Sequence, residues 1–353
     1  MIPSFGQLPS GKRLARIRSS PNYRDGAFQN VQETPMLAPD ASYPRMLRKF
    51  FFGSKDGQEP RHIIPSRKTD LRKLSREEPS VIWFGHSSYL LTLNGKVILV
   101  DPVFSARPSP FQFVGSKAFT LSEPYHVDEL PDPDLVILTH DHYDHLDYWA
   151  IQKLAPRVPL FAASLGVGAH LEFWGVSPQK IREFDWWESA PLLPGLEVTA
   201  MPSRHFSGRG FKRNQSLWSA FLLSGGGLKV LVGGDSGYDS TFQKIGAQWG
   251  PIDFALLECG QYDAMWPHIH MKPEETVQAG LDLRAKAMMA VHWGKFRLAN
   301  HTWTDPIERA VAEAVRLQVN LLTPMIGEPV RLDQPAAPAN PWWNAYQPPP
   351  SAR

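Results

Sequence analysis

Short apolar runs separated by turn residues dominate the chain from Ser80 onward. The run VIWF at 81–84 precedes SYLLTLNGKVILVDP, in which Asn94-Gly95 separates two apolar stretches and predicts a β-hairpin. Further strand-length apolar runs lie at 135–139, 159–163, 196–201, 217–223, 228–232, 252–257 and 286–291. Helical periodicity is found at 146–154, 164–174, 273–284 and 305–317. Because strands and helices are interleaved, the pattern predicts β-sheets covered by helices on their outer faces.

The two ends of the chain differ from this central part. Residues 1–79 are rich in Pro, Gly and Arg and show little periodicity apart from an apolar cluster at 46–52. Residues 332–353 are proline-rich and carry the pair Trp342-Trp343. We therefore predict an N-terminal extension wrapped on the core over 1–79, a core domain over 80–331 and a proline-rich C-terminal tail over 332–353.

Composition and charge exclude several classes of protein. The 353 residues carry 37 Lys and Arg against 35 Asp and Glu, a net charge of +2, far below the basic excess of proteins that grip nucleic acids. The single cysteine, Cys259, excludes an internal disulfide and any multi-cysteine zinc site, and indicates a reducing compartment. Since no signal peptide or membrane-spanning run is found, we expect a cytoplasmic protein without a nucleic-acid partner. Peripheral contact with the inner membrane surface and a homo-oligomer stay open.

The densest cluster of ionisable residues follows the apolar run at 135–139. Within LTHDHYDHLD, the residues His140, His142, Asp144 and His145 have the spacing H-x-H-x-D-H. Imidazole and carboxylate are the ligands that suit zinc and similar divalent ions, and a loop at a strand end can turn them toward one point. A single histidine there is commonly just hydrogen-bonded, but three with an aspartate at this spacing indicate a metal site.

Three other predicted strands each run into one residue of a ligand type. His205 follows the run at 196–201, Asp235 follows 228–232, and His292 follows 286–291. Recurrence of one pattern in separate places is difficult to attribute to chance. The sequence therefore predicts a metal centre assembled from several strand ends.

These motifs resemble those of the metallo-β-lactamase superfamily of binuclear metallohydrolases. WFGHSSYLL, DPVF, GDSGY, HMKPEE and AVHWGKFRLAN are moreover similar to the branch that contains N-acylphosphatidylethanolamine-hydrolysing phospholipase D and, more distantly, ascorbate-6-phosphate lactonase. The resemblance extends over residues 80–305. It implies an α/β (α+β) protein: a four-layer αββα sandwich of two mixed β-sheets flanked by helices, with the site at one edge.

The resemblance also implies a set of metal ligands. Carried over by position, they are His140, His142 and His205 for a first ion, Asp144, His145 and His292 for a second, and Asp235 as the bridge between them. Two divalent ions are thus implied. Zinc is expected first, and Mn²⁺ or Fe²⁺ can occupy similar ligands.

Such a centre has a defined chemistry. Two divalent ions about 3.5–4 Å apart lower the pKa of a shared water, supply hydroxide and stabilise the developing oxyanion, so no serine or cysteine nucleophile is needed. Asp144 and Asp235 would help to orient the water. His270, in HMKPEE, matches an active-site histidine of the branch and would contact the reacting phosphoryl oxygen or protonate the leaving group. The alternative makes His270 only an entry residue of the helix that begins at Pro273.

Several other residues have two interpretations. We interpret His86 as a buried structural histidine. Asp101 would orient a metal-ligating histidine or cap the turn that begins at Pro102. Cys259 fits a small buried hydrophobe. A group of basic residues with the aromatic cluster at 48–52 would form a membrane-surface patch or, as we prefer, a solvated arm beside a buried cluster. The basic residues of this group are Lys12, Arg13, Arg16 and Arg18.

Together these features predict a metal-dependent phosphodiesterase that cleaves an N-acylphosphatidylethanolamine-like lipid, or a related diester, by attack of metal-bound hydroxide on phosphorus. The alternative is a sugar-phosphate lactonase or other acyl hydrolase, because the same ions would activate water against a carbonyl group. A lipid enzyme needs a wide apolar entrance, whereas a sugar-phosphate enzyme needs a small pocket with cationic anchors. Candidate anchors near His205 are Arg204, Arg209, Lys212 and Arg213. A nonenzymatic module and a nuclease of the superfamily have less support, since every ligand position is filled and the charge is near neutral.

Overall fold

Two β-sheets form the centre of the molecule, in a computed structural model that describes residues 2–336 and 341–346. The strands of the first sheet are Ser80–Trp83 (β3), Tyr89–Leu93 (β4), Lys96–Val100 (β5), Leu135–Leu138 (β6), Phe161–Ser164 (β7), Ile181–Phe184 (β8) and Pro329–Arg331 (β16). Those of the second are Ser189–Leu193 (β9), Leu196–Pro202 (β10), Ser219–Gly225 (β11), Leu228–Val232 (β12), Phe254–Glu258 (β13), Ala287–Val291 (β14) and Leu321–Leu322 (β15). A small ribbon pairs Tyr23–Arg24 (β1) with Ala27–Phe28 (β2).

Both sheets are mixed. Their strand orders are β16-β3-β4-β5-β6-β7-β8 and β15-β14-β13-β12-β11-β10-β9. In the first sheet the pairs from β16 to β5 are antiparallel and those from β5 to β8 are parallel. In the second, β9 to β12 pair antiparallel and β12 to β15 pair parallel.

Helices cover the outer face of each sheet. The α-helices are Gly11–Ser19 (α1), Tyr43–Phe52 (α2), Tyr148–Leu154 (α3), Gly168–Phe173 (α4), Thr241–Gln248 (α5), Pro273–Asp282 (α6) and Asp305–Leu317 (α7). Short 3₁₀ turns lie at Pro3–Phe5, Leu71–Lys73, Val127–Glu129, Pro178–Lys180 and Trp342–Tyr346. Across the described ranges 2–336 and 341–346, no helix is both long and apolar enough to cross a bilayer.

The alternation of side chains along each strand explains the four layers. In β6, Leu135 and Ile137 join the cluster between the two sheets, whereas Val136 and Leu138 pack in the cluster that includes Ile151 of α3. Successive side chains of a strand point to opposite faces, and both faces are covered here, so the strand is apolar throughout. The predicted αββα sandwich of two mixed sheets is confirmed.

The strands that precede the predicted ligands end at a shared edge. β10 runs antiparallel to β11, which runs antiparallel to β12, so β10 and β12 point in the same direction, and β12, β13 and β14 are parallel. Their carboxyl ends therefore lie at one edge of the second sheet. This topology is what brings distant ligand residues together.

The N-terminal extension is more regular than the sequence predicted. It forms α1, the β1–β2 ribbon and α2, where we expected little secondary structure beyond the cluster at 46–52. In α1, Arg13 pairs with Glu172 and Glu183, each at 2.7 Å. These contacts hold α1 against the second half of the first sheet and contradict the interpretation of this segment as a solvated arm.

The C-terminal tail is described only in part, since residues 337–340 and 347–353 of the predicted 332–353 segment lie outside the described residues. Trp342 and Trp343 are buried. The Trp342 ring stacks on Trp293 at 5.4 Å, and its indole Nε1 donates to the carbonyl oxygens of Thr323 and Pro324. This part of the tail therefore packs beside the turn that carries His292.

Candidate metal centre

Three histidines from two loops form the first half of the centre. His140 and His142 follow β6, and His205 follows β10. The His142 Nδ1 lies 3.0 Å from the His140 Nε2 and 3.3 Å from the His205 Nε2. Three ring nitrogens that converge this closely can bind one divalent ion.

The second half of the centre combines residues from the loop after β6 in the first sheet with His292, which follows β14 in the second sheet. Asp144, His145 and His292 present ligand atoms within 4.8 Å of one another, and His86 belongs to the same group. The chain adopts positive φ at His86 (53°) and at His292 (68°). The His292 amide also donates to the His86 carbonyl oxygen at 2.9 Å. Such backbone conformations persist only where the surrounding structure holds them, and they cluster at functional sites.

Asp235, at the end of β12, lies between the two halves. Its Oδ2 is 3.8 Å from the His140 Nε2 and 3.6 Å from the His205 Nε2. Its Oδ1 is 3.2 Å from the His145 Nε2 and 3.1 Å from the His292 Nδ1. One oxygen thus faces each half, which is the arrangement that a bridging carboxylate requires.

Fixed hydrogen-bond partners orient the imidazole rings. The His145 Nδ1 lies 2.8 Å from the Asp101 Oδ2, and the His205 Nδ1 lies 2.8 Å from the Ile269 carbonyl oxygen. Partners of this kind set the tautomer and the direction of a metal-ligating histidine. Asp101 therefore has the orienting role rather than the alternative role of a turn cap.

The charge state of the site suits metal binding. Burial, and then the charges of neighbouring histidines, hold the pKa of His140 and His292 well below the usual value, so these rings are neutral and can donate lone pairs. Burial raises the pKa of Asp235 to about 6. Although burial opposes it, the carboxylates of Asp235 and Asp144 raise the pKa of His145.

Two buried polar atoms without hydrogen-bond partners among the described residues also indicate a metal site. The His145 Nε2 and the Asp235 Oδ1 are buried, and neither makes a hydrogen bond of acceptable geometry within the described part of the chain. Leaving two buried polar atoms unpaired costs about 1–3 kcal/mol each. A divalent ion between them would remove that cost, so the residues fit the metals that the sequence implied.

His86 has a closer relation to the centre than the sequence indicated. Its ring is fully buried, as expected, but its Nε2 lies 2.9 Å from the Asp144 Oδ2. The buried side chain that the sequence predicted therefore also holds a candidate metal ligand in place. The sequence around His86 did not indicate this contact with Asp144.

His270 reaches the centre together with a residue that the sequence analysis missed. The His270 ring stacks on His292 with a centroid distance of 5.1 Å, and its Nδ1 lies 3.1 Å from the Glu258 Oε1. Glu258 is the last residue of β13 and is fully buried. The signal was available, because a glutamate that ends an apolar strand resembles the aspartate after β12, but we interpreted that run only as the surroundings of Cys259.

Asn30 is a second contribution that the sequence did not reveal. Its side-chain amide donates to the His205 carbonyl oxygen at 2.8 Å, and its Oδ1 accepts the His205 amide at 3.0 Å. The Asn30 Oδ1 also accepts the indole N–H of Trp218 at 3.0 Å. The N-terminal extension thus fixes the backbone of a candidate metal ligand.

A cavity of about 240 Å³ opens above the ligands. His142, Asp144, His205, Asp235 and His292 lie along its lining. Most of the remaining wall is apolar and comes partly from the extension: it includes Met36, Leu37, Met46, Phe206, Ile269 and Leu298. The candidate metal ligands therefore form one side of the cavity, and apolar side chains form most of the rest of its lining.

The basic residues around His205 point in different directions. Arg204 donates to Thr34 and to the Tyr238 carbonyl oxygen, and Arg209 is buried against the carbonyl oxygens of Ser4 and Leu146. Lys212 is exposed. Among the described residues, Arg213 is the only arginine or lysine in the cavity lining. Of the four candidate anchors, Arg213 is therefore the one that the structure places at the cavity.

Comparisons with known proteins agree with this architecture. The family model for the beta-lactamase superfamily domain matches residues 96–293, more than half of the chain. An uncharacterised protein of Mycobacterium tuberculosis is 40% identical over 344 residues, which are 94% of this chain and 91% of that protein. An N-acyl-phosphatidylethanolamine-hydrolyzing phospholipase D of Caenorhabditis elegans is 31% identical over 227 residues, which are 61% of this chain and 63% of that protein.

A solved structure supports the fold. A metallo hydrolase of the archaeon Ignicoccus hospitalis superposes with a TM-score of 0.55 at 22% identity, over 71% of this chain and 97% of that one. At that identity the likeness shows the fold alone, and the family follows from the sequence matches. The chain belongs to the metallo-β-lactamase superfamily of metal-dependent hydrolases, and over part of their length it is similar to the N-acylphosphatidylethanolamine-hydrolysing phospholipases D.

Proposed function

We propose that this hydrolase is a phosphodiesterase with two zinc ions that cleaves N-acylphosphatidylethanolamine-like lipids or related diesters. The observation that carries the proposal is the apolar wall beside the candidate metal ligands, since acyl chains need such a surface beside the reacting phosphate. The lipid in the name of the similar Caenorhabditis elegans phospholipase D has this chemistry.

The chain's own residues suit that reaction. When bound, two divalent ions would lower the pKa of water and stabilise the charge that develops on the phosphoryl oxygens. Asp144 and Asp235 would supply anionic groups to the ions; Asp235 is buried, and the Asp144 Oδ2 is held by the His86 Nε2 at 2.9 Å. His270 faces the same space from the wall, where its free ring nitrogen can contact the phosphate or the leaving group.

The alternative of a sugar-phosphate lactonase has weaker support. A small anionic sugar phosphate needs several cations near the metals, and the described cavity lining offers Arg213 alone. The Arg213 guanidinium lies over the rings of Phe206 and Tyr43 at 5.1 and 5.6 Å. Arg213 is exposed, and a single exposed cation does not enclose a sugar phosphate.

We also propose that the enzyme works at the cytoplasmic surface of the inner membrane. The α2 helix, next to the cavity, exposes Leu47 and Phe52, with Phe52 86% exposed. Arg45 and Arg48 are exposed on the same helix. Apolar side chains beside cations are typical of a surface that inserts into an anionic lipid interface. The α1 basic residues Arg13 and Arg16 are instead paired with glutamates, whereas Lys12 and Arg18 of the same helix are exposed.

Rates on three substrates would test the proposal. We expect the zinc-loaded protein to hydrolyse N-acylphosphatidylethanolamine in anionic vesicles with a kcat/KM at least about tenfold above that for a water-soluble diester, as about 1.4 kcal/mol of acyl-chain contact requires. A sugar-phosphate lactone should react more slowly still. Met46→Ser should lower kcat/KM for the lipid but not for the soluble diester.

Two further variants complete the comparison. Phe52→Ser should weaken hydrolysis in vesicles while leaving the soluble diester unaffected. Val315→Ser, which changes a 75% exposed side chain on α7, is the matched control and should alter neither rate. Faster turnover of the lactone than of both diesters would reject the lipid phosphodiesterase in favour of the acyl hydrolase.

A further inference from the structure

Glu258 is a buried carboxylate that has no arginine or lysine partner among the described residues. Its side chain is fully buried at the end of β13. The Oε1 accepts the backbone N–H groups of Ser236 at 3.2 Å and Met271 at 3.1 Å, and the Oε2 has no hydrogen-bond partner among the described residues. Burying a carboxylate in this way is costly. Its retention at this point therefore calls for a specific role.

The contacts of Glu258 join two segments of the centre. Ser236 directly follows Asp235, and Met271 directly follows His270. The Glu258 carbonyl oxygen also accepts the Thr276 hydroxyl at 2.7 Å, which ties the start of α6 to β13. One side chain thus sets the distance between the bridging carboxylate and the segment that carries His270.

Glu258 also fixes the orientation of the His270 ring. The His270 Nδ1 lies 3.1 Å from the Glu258 Oε1, so a hydrogen on this nitrogen would be donated to Glu258 and would leave the Nε2 as the free ring nitrogen. The ring is stacked on His292 and lies 5.0 Å from the His205 ring, centroid to centroid. His270 lines the cavity in this orientation.

We propose that Glu258 is the positioning residue that holds His270 with its Nε2 directed at the substrate phosphate. This role rests on the proposed phosphodiesterase activity and deepens it. Glu258 does not line the cavity, and it reaches the substrate space through His270. Because Oε1 does all of the accepting, a side chain with an oxygen in that place can replace the carboxylate.

A double-mutant cycle tests the proposal. Glu258→Met removes the acceptor and keeps the length of the side chain, and should lower kcat by about 10- to 100-fold with little change in KM, as expected when a reacting group is misplaced by up to 1 Å. Glu258→Gln keeps the oxygen and should restore kcat to within about threefold. In a His270→Ala background, Glu258→Met should have almost no further effect.

Controls separate positioning from a general loss of structure. Zinc content and the melting temperature are measured for each variant. Asp253→Leu is the matched control, because Asp253 precedes β13 at its other end and its carboxylate also accepts a backbone N–H, from Lys229 at 2.7 Å. It should leave kcat unchanged. Equal losses from Glu258→Met in both backgrounds would overturn the proposal, since Glu258 would then not act through His270.

A second measurement does not depend on turnover. In zinc-loaded protein with ¹⁵N-labelled histidine, the His270 Nδ1 should carry a hydrogen in the wild type and in Glu258→Gln, and this preference should be lost in Glu258→Met. A hydrogen-free Nδ1 in the wild type would overturn the positioning role. Absence of phosphodiesterase activity together with the expected spectrum would reject only the proposed function.

Discussion

Asp235 shows how single residues determine the properties of this centre. Each of its carboxylate oxygens faces one half of the ligand set, and burial keeps water from competing for either. The histidines around it are buried and mostly neutral because burial lowers their pKa. Removal of one such residue should therefore affect both halves together.

We predict that Asp235→Asn and His142→Ala each abolish turnover and lose metal. Asparagine keeps the shape of the side chain but not its charge, and alanine removes one of three converging nitrogens. Zinc content per chain and the hydrolysis rate are measured together. Asp253→Asn, a carboxylate at the far end of β13, is the control that should retain both. Full activity in either test variant would exclude a binuclear mechanism.

The types of residue at the centre were largely predictable, but their supporting partners were not. The structure brings His140, His142, Asp144, His145, His205, Asp235 and His292 together as the sequence expected. Their spacing relative to strand ends gave the signal. Asn30 gave none, because a lone polar residue in an irregular segment has no periodicity, and its contact with His205 spans 175 positions.

At the scale of elements, the ends of the strands place the ligands and the helices fix the layers. β6, β10, β12 and β14 each end within three residues of a candidate ligand. Between the sheets, packed apolar side chains leave no freedom for these ends to move apart. The geometry of the site therefore depends on strands whose apolar side chains are packed between the sheets.

The α1 helix depends on charge pairing more than on apolar packing. Arg13→Met should lower the free energy of unfolding by about 1–3 kcal/mol at pH 7, because it leaves the buried Glu183 carboxylate without its cation. Hydrogen bonding to Arg13 lowers the pKa of Glu172. A lowered pKa contributes stability above the unfolded value of about 4.3 that is lost as the pH falls through the folded value.

Thermal unfolding between pH 3 and pH 7 measures this effect. The difference between wild type and Arg13→Met should be largest near neutrality and should shrink below about pH 4. Lys12→Met, which changes an exposed neighbour on α1, is the control. A difference that is constant across this range would show that α1 is held by its apolar residues instead.

The elements were predictable where packing determines the pattern. The strand at 228–232 and the helix at 305–317 have the bounds that the sequence predicted, since each has one buried apolar face or run: Val230 to Val232 in the strand, and Ile307, Ala310 and Ala314 in the helix. Helix α1, with the sequence GKRLARIRS, was missed because Ile17 is its only fully buried side chain and partners far along the chain stabilise the rest. β9 is half exposed and contains Pro191, so it also lacked a strand signal.

At the scale of the whole molecule, the N-terminal extension completes a site whose ligands all come from the core. The family model matches residues 96–293, whereas Met36, Leu37 and Met46 of the cavity wall lie well before that range. We infer that the superfamily core supplies the hydrolytic centre, and that the extension shapes what reaches it. Substrate choice was for that reason the least predictable property of the sequence.

The most direct test of this account is the fate of oxygen during lipid hydrolysis. Zinc-loaded wild type is incubated with N-acylphosphatidylethanolamine in detergent micelles in ¹⁸O-labelled water, with Asp235→Asn in parallel, and the products are analysed by mass spectrometry. We predict phosphatidic acid carrying one ¹⁸O from the wild type alone, because water attacks phosphorus. Zinc-loaded wild type that releases no phosphatidic acid, or phosphatidic acid without the label, would contradict the account.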